Sequence, residues 1–152
     1  MTGAVSGRST TTVAVDAMSG DGGAEVTVPA SLNVLRKDRD IQLLLVGGVE
    51  KIEQLLGNYS DVADRLEIQA ASEIVEMDEP PALALKKKKD SSMRVAIDMV
   101  KAGRAQAAVS AGNTGALMAT SRFVLKMIPG LDRPAICGEL PTLSGHVRML
   151  DL

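Results

Sequence analysis

The strongest chemical signal in the sequence is a short glycine-rich segment, residues 110–116 (SAGNTGA), between a predicted strand and a predicted helix. The first amides of a helix lack internal partners, and the helix dipole places partial positive charge there, so this turn can bind an anion. Asn113 and Thr114 add side-chain donors. The simpler alternative is that these two residues only cap the helix.

A second glycine-rich loop, residues 16–23 (DAMSGDGG), also follows a predicted strand and precedes a predicted helix. In doubly wound sheets such loops meet at the carboxyl edge, where ligands bind. Asp16 and Asp21 could orient a cationic group, position a hydroxyl or act as a base. Alternatively, Asp21 caps the helix and Asp16 accepts hydrogen bonds from loop amides. The loop matches neither the Walker A motif nor G-x-G-x-x-G, so no nucleotide site of either kind is supported.

Four consecutive lysines form a local cationic run in a chain whose net charge is -2. They are Lys86, Lys87, Lys88 and Lys89, and they predict docking of an acidic partner or an anionic surface. A solvated helix face is the alternative. The two loops and the lysine run together favour phosphate chemistry over metal-dependent hydrolysis.

The composition argues against several other functions. Aromatic residues make up 1% of the chain, which disfavours a nucleic-acid platform built on base stacking. One cysteine and one histidine, Cys137 and His146, are too few for a disulfide framework or a cysteine-rich zinc site, so no metal is expected. Cys137 is expected to be buried as a small hydrophobic residue. No apolar run approaches the roughly 18 residues that span a bilayer.

The elements that must position these residues alternate between strand and helix. Predicted strands cover residues 13–15, 41–46, 66–70, 106–110, a stretch through 136, and 146–151. A first helix is predicted from about residue 24, with Pro29 in or near its first turn, and a second at 51–56. A third is predicted from residue 90 or 91. A fourth follows the turn at 112–115, and its inner face is formed by Ala116, Ala119, Phe123 and Met127. This order predicts an α/β fold with a mostly parallel sheet and helices on both faces.

The two ends of the chain allow predictions about the boundaries of the domain. Residues 1–11 are rich in Gly, Ser and Thr and are expected to be a disordered leader, with one domain over residues 12–152. The chain ends on an alternating apolar run, residues 146–152, which predicts a strand. A buried strand in an α/β protein needs a layer over each face, and nothing follows this one. The expectation is therefore a domain that is cut before its fold is complete.

Three motifs in order closely resemble the PlsX family of bacterial phosphate acyltransferases. They are residues 16–21 (DAMSGD), 87–93 (KKKDSSM) and 110–118 (SAGNTGALM), and the stretches 133–135 (RPA) and 150–152 (LDL) add to the resemblance. It runs from about Thr12 to Leu152. Ser19 stands where the family usually has a glycine. Because serine cannot adopt every backbone angle open to glycine, this difference predicts looser packing of the first loop.

The resemblance implies transfer of a fatty acyl group from acyl carrier protein to inorganic phosphate, giving acyl phosphate, in phospholipid biosynthesis. It implies a fold like that of isopropylmalate dehydrogenases, a homodimer, and a cytoplasmic protein peripheral to the inner face of the cell membrane. No metal or nucleotide cofactor is implied. Family members continue past Leu152, so the chain is expected to be an N-terminal portion.

On this interpretation Asp16 and Asn113 are the catalytic candidates, and Lys86 to Lys89 dock the acidic carrier protein. The candidate phosphate-binding residues are Gly20, Asp21, Gly22, Ser110, Gly112, Asn113, Thr114 and Gly115. Two alternatives remain open. One is a phosphotransacetylase-like acyltransferase that uses acyl-coenzyme A. The other is a truncated, non-catalytic fragment that at most binds anions or carrier protein.

Overall fold

A four-stranded parallel sheet forms the centre of the computed structural model, which describes residues 10–151. Its strands are β1 (Thr11–Asp16), β2 (Ile41–Gly47), β3 (Leu66–Ala70) and β4 (Ala107–Val109), in the spatial order β3-β2-β1-β4. All three pairings are parallel. The predicted α/β fold with a mostly parallel sheet is confirmed. The leader was expected over residues 1–11, and its residues 1–9 lie outside the described residues. Thr11 belongs to β1 and pairs with Ile41.

Five helices are described beside this sheet. They are α1 (Gly23–Lys37), α2 (Val49–Leu56), α3 (Pro81–Lys87), α4 (Ser92–Lys101) and α5 (Thr114–Leu125), and a short 3-10 turn, Ala63–Arg65, precedes β3. The buried faces of α1 and α2 share one apolar cluster with Val15 and Leu45 of the sheet. The opposite sheet face, with Ala14 and Leu44, packs against α4. Helices therefore cover both faces, as predicted.

Two of these helices differ from their predictions. Pro29 lies well inside α1, not in its first turn. The carbonyl of Glu25 thereby loses its usual donor, and both residues are exposed, so water can replace it. Residues 81–87 form α3, which is not among the predicted helices and which ends within the lysine run. Pro81 is the first residue of this helix, a position that tolerates proline.

The inner face of α5 also differs from its prediction. The buried residues are Ala116, Thr120 and Val124, which recur every four positions on one side. Phe123 was expected to face inward, and this is wrong, since 54% of its surface is exposed. Its ring lies near the cations of Arg94 and Lys126, at 5.8 and 5.0 Å from the ring centre. Such contacts let an aromatic residue remain at the surface.

The end of the described chain is a separate antiparallel hairpin. Its strands are β5 (Ile136–Thr142) and β6 (Gly145–Asp151), and they form a two-stranded sheet of their own. The strand predicted at 146–151 is confirmed as β6, but its expected burial is wrong, because the side chains described in this hairpin are exposed. Cys137, expected to be buried, is exposed as well. This segment is therefore an exposed hairpin and not a buried strand of the parallel sheet.

Candidate functional site

A hydrogen bond joins the carboxyl ends of β1 and β4. The hydroxyl of Ser110 donates to Asp16 Oδ2 at 2.7 Å and accepts from the amide of Gly112 at 3.1 Å. The other carboxylate oxygen of Asp16 accepts from the amide of Met18 at 3.3 Å. Asp16 is only 1% exposed. The structure thus brings together the two glycine-rich loops, and the alternative in which Asp16 accepts from a loop amide is confirmed.

Two glycines allow these loops to approach each other closely. A Cβ added at Gly20, whose φ is +96°, would lie 3.0 Å from Ala111 Cβ. A Cβ added at Gly112 would lie 2.7 Å from Ser19 Cβ. Ser19 is itself 3% exposed and has no positive φ, so the looser packing expected from this serine is wrong. Both glycines are required by contact between the loops.

The side chain of Asn113 fastens the start of α5 to the preceding loop. Its Oδ1 accepts from the amide of Ala116 at 3.0 Å, so the capping alternative is confirmed for this residue. Its Nδ2 donates to the carbonyls of Met77 and Glu79 at 3.0 and 2.9 Å, with a third carbonyl, that of Glu76, at 3.3 Å. The amide hydrogens of Asn113 are therefore directed at protein carbonyls.

The main-chain amides of Thr114 and Gly115 are the donors that remain for an anion. Both residues are exposed and begin α5, and neither amide has an acceptor within residues 10–151. Both amides lie at the N-terminus of α5, which is the positive end of the helix dipole. A Cβ at Gly115 would lie 2.9 Å from Pro81 Cγ, so packing against α3 is what requires glycine there.

The loop after β1 offers main-chain groups beside the same edge. Gly22 is the residue that precedes α1, and no side chain caps this helix. The alternative in which Asp21 caps α1 is therefore wrong. Asp21 and Gly22 are exposed and Gly20 is half-buried. An ionised carboxylate has no hydrogen to donate, so a contact between Asp21 and phosphate can only involve its amide.

The four lysines do not behave as one group. Lys88 forms an ion pair with Glu79 Oε2 at 2.6 Å and donates to the carbonyl of Ile74, so it holds the loop before α3. The hydrogen bond from Lys88 lowers the pKa of Glu79. Lys86, Lys87 and Lys89 are exposed. Three lysines thus remain free to contact an acidic partner, and their docking role stays a prediction.

A cleft of about 550 Å³ opens beside the Asp16 loop, at the carboxyl ends of β2 and β3. We call it the β2–β3 cleft, and it is lined by Met18, Gly47, Gly48, Val49, Glu50, Ala70, Ala71, Ser72, Ile74 and Asp90. Asp90 accepts from the hydroxyl and the amide of Ser72 at 2.6 and 3.0 Å. These bonds lower the pKa of Asp90. This cleft is not among the features predicted from the sequence, although the consecutive glycines Gly47 and Gly48 at the end of β2 are a signal for it.

Two negative findings concern the described part of the chain. Within residues 10–151, no group of three or more His, Cys, Asp or Glu side chains lies close enough together to hold a metal ion. In the same range, no helix combines the length and the apolar character needed to cross a membrane.

The chain is an α/β protein whose two joined loops lie at the carboxyl ends of parallel strands, the edge at which such sheets bind ligands. A family profile described as "Fatty acid synthesis protein" matches residues 11–152. The chain belongs to this fatty acid synthesis protein family.

The chain is similar to several bacterial proteins named phosphate acyltransferase. The protein of Alcanivorax borkumensis is 59% identical over 143 residues, which cover 93% of this chain and 42% of the relative. That of Chromobacterium violaceum is 60% identical over 144 residues, 94% of this chain and 42% of the relative. The resemblance drawn from the three motifs is confirmed. The chain spans 42% of the length of these curated relatives.

Proposed function

We propose that the chain forms part of a phosphate acyltransferase, which transfers a fatty acyl group from acyl carrier protein to inorganic phosphate. The observation that carries the proposal is the 2.7 Å hydrogen bond from Ser110 to Asp16, which joins the two loops at the edge where such sheets bind ligands. Similarity to proteins named phosphate acyltransferase supports the same reaction.

In the proposed reaction, a phosphate oxygen attacks the carbonyl carbon of the thioester. A C–O bond forms and the C–S bond breaks, so the thiolate of the carrier leaves. The proton carried by the attacking phosphate ends on that sulfur. The products are acyl phosphate and the free thiol of the carrier, and the balance needs neither oxidant nor reductant.

The residues of the site receive distinct roles in this proposal. The amides of Thr114 and Gly115 hold the phosphate at the start of α5, assisted by the helix dipole. Main-chain amides of Gly20, Asp21 and Gly22 are further candidate donors, whereas the amide of Gly112 already donates to Ser110 Oγ. Asp16 acts through Ser110, and Asn113 acts through the loop at 76–79, so both are positioning residues. Much of the rate of such a transfer comes from holding the reactants in register.

The broader features implied by the family resemblance are part of the proposal. The complete protein has a fold like that of isopropylmalate dehydrogenases and forms a homodimer. It lies in the cytoplasm, peripheral to the membrane. Lys86, Lys87 and Lys89 attract the acidic carrier protein, since exposed cations of this kind speed encounters with an anionic partner.

A pair of substitutions at Thr114 tests the phosphate site. Thr114→Pro removes one free amide at the first helical position, where proline disturbs a helix least, and Thr114→Ala keeps that amide. Both are placed in a chimera in which this chain replaces the matching portion of the Alcanivorax borkumensis relative. Formation of acyl phosphate is then measured as phosphate concentration rises.

We expect Thr114→Pro to raise the KM for phosphate about tenfold, the size of one lost hydrogen bond to a charged group. Thr114→Ala should change it far less. Equal KM values for the two variants would overturn the phosphate assignment. A cooperatively melting chimera that makes no acyl phosphate, beside an active Alcanivorax protein, would overturn the proposed reaction.

A further inference from the structure

We propose that the β2–β3 cleft holds the acyl chain of the thioester substrate. The inference rests on the proposed function and goes beyond it, because it assigns a binding site to the chain itself. An extended, uncharged, apolar segment is the chemical class that fits this cleft.

The order of the strands places the Asp16 loop between the cleft and the phosphate turn. Along the sheet edge the order is β3-β2-β1-β4, and neighbouring strands lie about 4.8 Å apart. The phosphate turn follows β4, the Asp16 loop follows β1, and the cleft lies over β2 and β3. A phosphate at α5 and a chain in the cleft therefore place the thioester carbonyl between them, over the Asp16 loop.

The walls of the cleft favour a neutral chain over an anion. Apolar side chains of Met18, Val49 and Ile74 line it, together with alanines and the backbone of two glycines. The charged groups among its lining residues are the carboxylates of Glu50 and Asp90. They repel phosphate groups and leave an alkyl chain unaffected. The volume of about 550 Å³ lies within the range of small-molecule sites.

Met18 connects the cleft to the loop that carries Asp16. Its side chain lies against Gly47, where an added Cβ would be 2.5 Å from Met18 Cγ, and its amide donates to the Asp16 carboxylate. Methionine is unbranched and flexible, so it can adjust to an alkyl chain of variable shape. One residue thus forms a wall of the cleft and anchors the Asp16 loop.

Gly48 offers a substitution that fills the cleft while sparing the fold. A Cβ built on Gly48 meets no atom within 4 Å, and its φ of -67° and ψ of 113° are open to any residue. Gly48→Leu therefore adds an apolar group to the cleft without strain. Gly138, in the exposed hairpin, also has no atom within 4 Å of an added Cβ, so Gly138→Leu is the matched control.

The first experiment titrates two neutral thioesters into the 152-residue chain by calorimetry. The probes are S-decanoyl-N-acetylcysteamine and S-acetyl-N-acetylcysteamine. We expect the decanoyl thioester to bind the native chain and the Gly138→Leu variant alike, and to bind the Gly48→Leu variant about tenfold more weakly, since two methylenes kept in water account for that factor. The acetyl thioester should not distinguish the three proteins.

The second experiment uses the chimera with the Alcanivorax borkumensis relative. Gly48→Leu should lower kcat/KM about tenfold for a decanoyl carrier protein and leave the KM for phosphate unchanged. Equal values for Gly48→Leu and Gly138→Leu would overturn the cleft assignment, as would a loss of phosphate affinity in place of thioester affinity. An unsubstituted chimera that makes no acyl phosphate contradicts the proposed reaction, and the titration still decides the cleft.

Discussion

Asp16 and Ser110 lie 94 positions apart in the sequence, and the serine hydroxyl donates to the aspartate carboxylate at 2.7 Å. The bond is made where β1 and β4 end, so it fixes the two loops that follow these strands relative to each other. The carboxylate is buried, and its two oxygens accept from Ser110 and from the amide of Met18. A buried acceptor of this kind is costly to leave without a donor.

Ser110→Ala removes this donor and should lower the free energy of unfolding by about 1–3 kcal/mol, because a buried carboxylate oxygen loses its partner. Urea denaturation of the 152-residue chain measures the change. Asp16→Asn should also destabilise the fold, and the double variant should lose less than the sum of the two, since the residues share one bond. Ser121→Ala, on the side of α5, is the control. Additive effects would show that the bond does not couple the loops.

Ser19 and Gly112 should behave as a coupled pair. Gly112→Ala places a Cβ 2.7 Å from Ser19 Cβ and 3.1 Å from Ser19 Oγ, so one loop must move. Overpacking of this kind costs about 1–3 kcal/mol. Ser19→Gly removes both atoms and should restore most of the stability in the double variant, as a thermal melt would record. If Ser19→Gly gives no rescue, the close contact between the loops is not the cause.

The sequence was informative where local chemistry decides structure. The helix predicted at 51–56 does end at Leu56, and Gly57 follows it with a φ of +55°. The helix predicted from residue 90 or 91 begins at Ser92, and Ser91 caps it by accepting from the amide of Arg94. The sequence also predicted that the two glycine-rich loops lie close together, because parallel strands place their carboxyl ends at one edge of the sheet.

Other features depend on partners that are distant in the sequence. Asn113 was expected to donate to an anion, and its amide hydrogens reach the carbonyls of residues 76, 77 and 79. Nothing near Asn113 in the sequence signals that loop. Phe123 has the spacing of an inner-face residue, yet a buried Thr120 takes the core side of α5. Periodicity alone does not tell which side of a short helix meets its neighbour.

The exposed lysines should affect association, and Lys88 should affect stability. Replacing Lys86, Lys87 and Lys89 with Gln should slow the binding of acyl carrier protein to the chimera and leave the melt unchanged. The difference from the native protein should shrink as salt is added, because exposed charges are screened. Stopped-flow association at low and high salt measures this effect. If the native and substituted proteins associate at equal rates at every salt concentration, the lysines are only a solvated surface.

The ion pair between Lys88 and Glu79 predicts a particular dependence of stability on pH. The hydrogen bond from Lys88 lowers the pKa of Glu79 from the ordinary 4.5. The folded state therefore keeps this carboxylate ionised to lower pH than the unfolded state does. The stabilisation is therefore fully present above pH 4.5 and is lost as pH falls through the folded-state pKa.

Lys88→Gln removes that contribution, so the stability difference between the variant and the native chain should be largest at neutral pH and should shrink in acid to the part that the bond to the Ile74 carbonyl supplies. Urea denaturation across this range measures the difference, with Lys86→Gln as the control that has no such partner. A difference that stays constant down to the acid limit would assign the effect of Lys88 to its bond with the Ile74 carbonyl alone.

Asn113 allows the cap and the donor functions of one side chain to be separated. Asn113→Asp keeps an oxygen that can accept from the amide of Ala116, and it replaces the donors that face the carbonyls of Met77 and Glu79 with a second oxygen. Asn113→Ala removes both functions. Each should destabilise the chain by about 1–3 kcal/mol at neutral pH, since buried partners are left unpaired.

The two variants should differ in acid. Protonation of the new carboxyl in Asn113→Asp restores one donor toward the loop carbonyls, and repulsion from those carbonyls raises its pKa in the folded state. The stability of Asn113→Asp relative to Asn113→Ala should therefore rise as pH falls through that raised pKa. Paired denaturation curves at neutral and mildly acidic pH measure this shift. If Asn113 instead donates directly to phosphate, Asn113→Ala should weaken phosphate binding and leave the stability of the free chain unchanged.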